Sequence, residues 1–221
     1  MNDAYANVLR WMADPANWQG STGILSRTGI YLAYCAVTLL ATMAIAIPVG
    51  LYVGHTGRFR ELVVPFTGAL RALPTLGLLC VLSLWMGLGL GAPMVSLVLL
   101  AIPPVLAGTY SGIASVDRSV VEASRAVGFS EWGILTQVEI PIALPLIVSG
   151  IRSAAVQIVA TWTVAAYLPI EGLGRYLIDG LAVQDYTQML AGSLIIIVIE
   201  LLVDGLFAAA QKLSAVASHV S

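Results

Sequence analysis

Long apolar stretches alternate with short charged ones along this chain, and the apolar stretches have the length of a bilayer. A helix rises about 1.5 Å per residue, so roughly 20 consecutive apolar residues cross about 30 Å of hydrocarbon. The first stretch, "IYLAYCAVTLLATMAIAIPVGLYVG" from Ile30 to Gly54, carries no charge. A second runs from about Leu62 to Trp85 and contains Arg71 and Pro74. The third, Ala92 to Ile113, includes Pro103 and Pro104, and the fourth, Pro141 to Tyr167, has Arg152 near its start. The fifth, Met189 to Ala210, includes Glu200 and Asp204. In a bundle, neighbouring helices satisfy the carbonyls a proline frees, so kinks or breaks are expected near Pro74 and Pro103. The pattern predicts an all-α, polytopic membrane helix bundle with about five transmembrane helices.

Between the third and fourth stretches the pattern changes to that of a short amphipathic helix. Ser119 and Glu122 have capping-box spacing, Asp117 is an alternative N-cap, and Gly128 suits the left-handed residue that ends the helix. At 3.6-residue periodicity Arg118, Glu122 and Arg125 share one stripe, opposite Val120, Ala123 and Val127. Glu122 is spaced to pair with both arginines. Ser130 then caps a second turn carrying Trp132 and Leu135, and Pro141 and Pro145 set where the fourth span begins. Such an element fits a groove on a cytosolic partner; it equally fits the lipid headgroup layer.

Composition sharpens the membrane reading. Of 221 residues 59% are hydrophobic and 10% charged, against about a quarter charged in soluble domains. A net charge of −2 without any basic run argues against a nucleic-acid partner. Cys35 and Cys80 lie in apolar stretches and read as small buried residues rather than a bridge. Residues 1–27 lack a continuous apolar core, so they are not expected to form a cleavable signal, and the first span is expected to serve as its own insertion signal.

Arg58, Arg60, Arg118, Arg125 and Lys212 fall on one side of the five spans, and Arg10, Arg27 and Arg175 on the other. The cytoplasmic bias of basic residues puts residues 1–29 outside and the tail, 211–221, in the cytoplasm; the opposite orientation stays open on a bias this moderate. His55 and His219 have no metal-ligand spacing and read as loop or tail residues, so no metal is expected. The lone lysine, Lys212, has no glycine loop beside it, and no G-x-x-x-x-G-K-[ST] run exists. P-loop nucleotide chemistry is therefore excluded from this chain.

The spacing Glu122-Ala123-Ser124, three residues, Gly128, nine residues, Val138-Glu139-Ile140-Pro141 resembles the EAA loop of ABC importer permeases of the MetI-like type. That family has Glu-Ala-Ala, then Gly, then Ile-x-Leu-Pro at the same intervals. "LRALPTLGLL", "TYSGIASVDRSVVEASRAVG" and "GIRSAAVQIVATWTVAAYLPIEGLG" are similar to its osmoprotectant branch, which imports glycine betaine, choline and carnitine. The resemblance implies a permease domain over 30–210 whose coupling loop, about 117–141, seats a helix in a cytosolic ATPase. Glu122 would orient that helix, Ala123 and Ser124 would permit close approach, and Gly128 would allow the sharp exit, with Arg118 and Arg125 beside them. It also implies an ABC ATPase dimer that binds ATP and Mg, so that this chain needs no cofactor. An extracytoplasmic substrate-binding protein and a second permease, identical or homologous, complete the expected assembly in a bacterial cell membrane. The usual glycine-rich segment after the fourth span reads "LPIEGLG" here, so Pro169, Ile170 and Glu171 depart from it while Gly172 and Gly174 remain.

Two groups of residues carry alternative roles. Arg71, Arg152, Glu200 and Asp204 lie at or near membrane depth, where an unpaired charge is costly. The favoured reading pairs the acids with Arg71 or Arg152, or sets Asp204 near the headgroups; the other makes them cavity or gate residues. Trp162 and Tyr167 read as interfacial aromatics, as Trp85 does, or as cation–π contacts for a quaternary ammonium. The resemblance puts the high-affinity aromatic cage in the binding protein. A methionine or other amino-acid importer is the nearest alternative. More distant are a passive channel and an intramembrane hydrolase built on "GTYSG", Gly108 to Gly112.

Overall fold

The computed structural model describes residues 2–218, and His219 lies outside them. Ten α-helices occur among the described residues, with no strand. They are α1 (Asn2–Ala13), α2 (Ile24–Thr56), α3 (Arg60–Arg71), α4 (Thr75–Met86), α5 (Gly91–Ala114), α6 (Arg118–Ala126), α7 (Glu131–Ile134), α8 (Ile140–Ala165), α9 (Arg175–Val183) and α10 (Tyr186–Ser218). A wide π-type turn, Leu135–Glu139, joins α7 to α8. Four helical runs are long and apolar enough to span a bilayer, or five if α3 and α4 make one broken span.

The second expected span is thus two helices of 12 residues each, interrupted before Thr75. At about 1.5 Å per residue neither half crosses the hydrocarbon alone. Pro74 explains the break: it occupies the N-cap of α4 in extended geometry and has no N–H to continue α3. Pro103 and Pro104 behave differently, because α5 runs through both without interruption.

Two boundaries differ from expectation, and two helices are additional to it. α2 starts at Ile24 rather than Ile30 and carries Arg27 inside it. α10 continues through much of the expected tail, because its last turns contain helix formers and no glycine or proline. α1 and α9 have no counterpart among the expected elements. Both are short, and neither has the continuous apolar length by which spans are recognised.

The chain forms two compact units, and the long helices α2, α5, α8 and α10 contribute to each. The first comprises Met1–Thr38, Pro74–Val98 and Gln157–Val203. Its core holds Tyr31, Leu79, Leu97, Ile158 and Leu173, all nearly inaccessible. Tyr31 donates its hydroxyl to the Val159 carbonyl, and Trp162 Nε1 donates to Thr38 Oγ1 at 2.9 Å. Trp162 is only 2% exposed and packs on Tyr34. Its role here is to tie α2 to α8, so neither an interfacial belt nor an open pathway wall describes it. Tyr167 and Trp85 are exposed. Cys35 is buried and Cys80 exposed, and both are free thiols.

The second unit comprises Leu39–Leu73, Leu99–Val156 and Asp204–Ser221. Here helices approach closely, backbone to backbone at Gly108 and Gly150 and backbone to side chain at Gly50 and Gly54. A Cβ on Gly150 would lie 2.7 Å from the Pro104 carbonyl oxygen, and one on Gly108 would lie 2.7 Å from the Gly150 Cα. A Cβ on Gly50 would likewise reach 2.7 Å from Thr109 Cβ, and one on Gly54 the same distance from Ile113 Cβ. Small residues at such positions let membrane helices approach closely where no hydrophobic force drives them together.

Arg152 on α8 forks onto Asp204 on α10, with Nε–Oδ1 at 2.6 Å and Nη2–Oδ2 at 2.8 Å. Two parallel hydrogen bonds give this pair geometry as well as charge. Arg152→Leu is expected to lower the amount of folded protein several-fold by leaving Asp204 unpaired. The double variant Arg152→Leu/Asp204→Leu is expected to recover it. Detergent-stable yield measures both, and a double variant no better than the single would show that the pair is not what matters.

Candidate functional site

The loop over 117–141 folds as its local chemistry dictates. Asp117, not Ser119, caps α6: its Oδ1 accepts the Ser119 backbone N–H at 2.8 Å. That bond holds the Asp117 carboxyl below the usual carboxylate range. At the other end Phe129 N–H reaches the Ser124 carbonyl and Gly128 N–H reaches the Arg125 carbonyl, both at 3.1 Å. These are the two bonds of a Schellman stop, and Gly128 adopts φ +95° within it. Ser130 caps the next turn, its Oγ accepting the Gly133 N–H at 3.1 Å.

Arg125 does not pair along the helix with Glu122. It forks onto Glu131, with Nε–Oε1 at 2.6 Å and Nη2–Oε2 at 2.8 Å. The parallel fork suits a planar guanidinium better than one contact along the helix. Hydrogen bonding to Glu131 further favours the charged form of Arg125. Arg118 and Glu122 are exposed and line, with Arg125, a cavity of about 300 Å³ that His55, Tyr110 and Glu139 also face. Ala123 is exposed on α6, and Ser124 Oγ is turned back to the Val120 carbonyl at 2.8 Å. Val120, Val127, Phe129 and Trp132 are all exposed, so the loop presents an apolar surface with no cover from its own chain.

His55 is a correction. It is no loop residue but part of the last turn of α2. Its Nδ1 lies 2.5 Å from Glu139 Oε2, and its Nε2 lies 3.4 Å from Glu131 Oε2. Glu139 is buried within the π-type turn. The pair joins residues 84 apart in sequence, so no local spacing announces it. Among the described residues no cluster of His, Cys, Asp or Glu could hold a metal ion.

In the first unit, the "LPIEGLG" segment packs rather than hangs free. Ile170 and Leu173 are buried, while Gly172 adopts φ +141° beside Tyr31. Gly174 stands at the N-cap of α9, where a Cβ would fall 2.5 Å from the Thr163 carbonyl oxygen. Glu171, one of the three residues that depart from the expected glycine-rich pattern, lies 3.6 Å from Arg27 Nε, and Asp179 lies 3.5 Å from Arg27 Nη2. The Arg27 guanidinium also sits 4.5 Å from the centre of the Tyr176 ring. These partners let α2 carry a 7% exposed arginine, which is why the helix begins before its apolar run. Arg71 ends α3 and is exposed, and Glu200 is half-buried on α10.

The comparisons with known proteins agree with this architecture. A family described as binding-protein-dependent transport system inner membrane component matches residues 46–213. The carnitine transport permease protein OpuCD of Listeria monocytogenes is 34% identical over 161 residues, covering 72% of each chain. The choline transport system permease protein OpuBD of Bacillus subtilis is 29% identical, covering 80% of this chain and 78% of its own. Among solved structures, the MetNI methionine ABC transporter in an inward-facing conformation superposes with a TM-score of 0.71 at 22% identity. That match covers 83% of this chain and 92% of the other, and at this identity it shows the fold. Matched over most of its length, the chain belongs to the family of inner membrane components of binding-protein-dependent transport systems.

Proposed function

We propose that this chain is the permease subunit of an ABC importer for quaternary ammonium osmoprotectants such as glycine betaine, choline and carnitine. The permease role follows from the family; the cargo rests on the relatives that carry carnitine and choline. The observation that carries the mechanism is the capped, charged helix α6 with Val120, Val127 and Trp132 left open beside it. That surface offers a cytosolic ATPase dimer an apolar seat. ATP and Mg act in the partner; this chain supplies the lever, with Glu122, Ala123, Ser124 and Gly128 shaping the contact.

Closure of the ATPases draws two coupling helices together, one from each permease of a homo- or heterodimer, and opens the bundle to the outside. A binding protein there releases cargo into it. Directionality requires that nucleotide-bound partners prefer one of the two states, since contact alone shifts no equilibrium. This orientation places residues 1–29 outside and the end of α10 in the cytoplasm. Tyr167, exposed beyond α8, and the segment through Glu171, Gly172 and Gly174 then lie at the outer mouth.

Proteoliposomes holding the permease, its ATPase and its binding protein are expected to take up radiolabelled choline, betaine or carnitine only with internal ATP. Methionine should not compete. ATP-independent flux, or uptake competed by methionine alone, would overturn the assignment.

A further inference from the structure

The contacts beneath the coupling helix form a continuous polar chain across four elements of the second unit, and what they imply rests on the permease reading above. Arg125 on α6 forks onto Glu131 on α7, Glu131 faces His55 on α2, and His55 meets Glu139 in the π-type turn. The ends of this chain differ in kind. The side chains of Arg125 and Glu131 are 50% and 57% exposed, so water screens them and their pair contributes little stability. Those of His55 and Glu139 are 15% and 6% exposed. A carboxylate so enclosed depends on its partner, because removing that partner leaves a desolvated acceptor unmatched.

We infer that His55 and Glu139 are positioning residues for energy coupling, a clasp that passes displacement of the coupling helix to α2. Without the clasp, α6 is attached through its own backbone to α5 on one side and α7 on the other. A pull on α6 would then reach α2 only indirectly. With it, the last turn of α2 is tied to the turn from which α8 begins. His55 suits this place twice over. Its two ring nitrogens reach Glu139 and Glu131 at once, and it stands where the carbonyl end of a helix favours donors and cations. Glu139 sits on a widened turn, a feature that recurs where helices do functional work.

The test uses the complete transporter, with this chain, its ATPase, its second permease and its binding protein in proteoliposomes. The quantity read is cargo imported per ATP hydrolysed, normalised to assembled complex. His55→Ala and Glu139→Ala are each expected to lower that ratio by about tenfold while hydrolysis continues. The double variant should be no worse than His55→Ala, because both singles remove the His55–Glu139 contact and only His55→Ala also removes the one to Glu131. The exchanged pair, His55→Glu with Glu139→His, should restore much of the ratio. A purely structural pair would change the amount of complex and leave cargo per ATP untouched.

An unchanged ratio in both single variants overturns the inference, as does a double variant that falls by the product of the singles. If the alanine variants do not assemble, the exchanged pair decides: assembly with recovered coupling supports the clasp, and assembly without it refutes the clasp. A wild-type complex that hydrolyses ATP but moves no quaternary ammonium cargo overturns the cargo assignment. Normal wild-type transport beside unaffected variants overturns only the clasp.

Discussion

Replacing Gly128 with aspartate is expected to leave the protein inserted and folded while reducing ATP-driven uptake by about tenfold or more, the scale set by 1–2 kcal/mol of left-handed strain. A Cβ at this position meets nothing within 4 Å, so no neighbour is displaced. The cost is in the backbone, which holds φ at +95° to complete the Schellman stop. Relieving the strain re-aims the chain leaving α6 and with it the bearing of Ser130 and α7. The added carboxylate also lands between Val127 and Phe129, both exposed, on the surface an ATPase would cover. Cargo-stimulated ATP hydrolysis should fall along with uptake. Gly128→Asn, which tolerates the left-handed region and adds no charge, should retain an intermediate rate. Wild-type uptake by Gly128→Asp would disprove the coupling assignment of this loop.

Gly150→Ala is expected to destabilise the folded protein by about 1–3 kcal/mol, the usual cost of overpacking. Its Cβ would stand 2.7 Å from the Pro104 carbonyl oxygen and 3.0 Å from Gly108 Cα. Those neighbours are backbone, which cannot swing aside as a flexible side chain would. Gly108→Ala should act similarly, and the two should be non-additive because they press on one contact. Gly205→Ala is the control: its Cβ meets nothing within 4 Å, so the change should be neutral or stabilising. Thermal unfolding in detergent measures all three. Equal transition temperatures for Gly150→Ala and Gly205→Ala would show that the α5–α8 contact is looser than described here.

What could be read in the sequence was whatever depends on near neighbours. Apolar runs mark α2, α5, α8 and α10 because bilayer thickness fixes their length. The stop at Gly128 and the cap at Ser130 are legible because their partners lie within five residues. Pro74 announces a break since it lacks an N–H. Pro103 and Pro104 show the limit of that rule, as α5 passes through them. The choice of Asp117 over Ser119 as cap was open, for both spacings are chemically sound.

The illegible part is set by residues distant in sequence. Arg27 looked like a loop charge because Glu171 and Asp179, which pair with it, and Tyr176, whose ring it covers, come much later in the chain. His55 looked idle for the same reason. Glu122 looked like the partner of Arg125 until a turn after Gly128 brought Glu131 round to it. Trp162 resembled an interfacial aromatic, and only the position of Thr38 on a packed α2 makes it a buried donor. α9 shows no long apolar run, and what seats it is packing: Tyr176 is buried and donates to the Thr22 carbonyl at 2.8 Å.

The glycine contacts of the second unit have a mechanical consequence. Helices that slide past one another do so on a layer of side chains that can change rotamer. Where Gly108 faces Gly150 that layer is missing, and where Gly50 faces Thr109 it is thinned to one β-branched side chain. Within this unit α2, α5 and α8 therefore resist sliding past one another at these points.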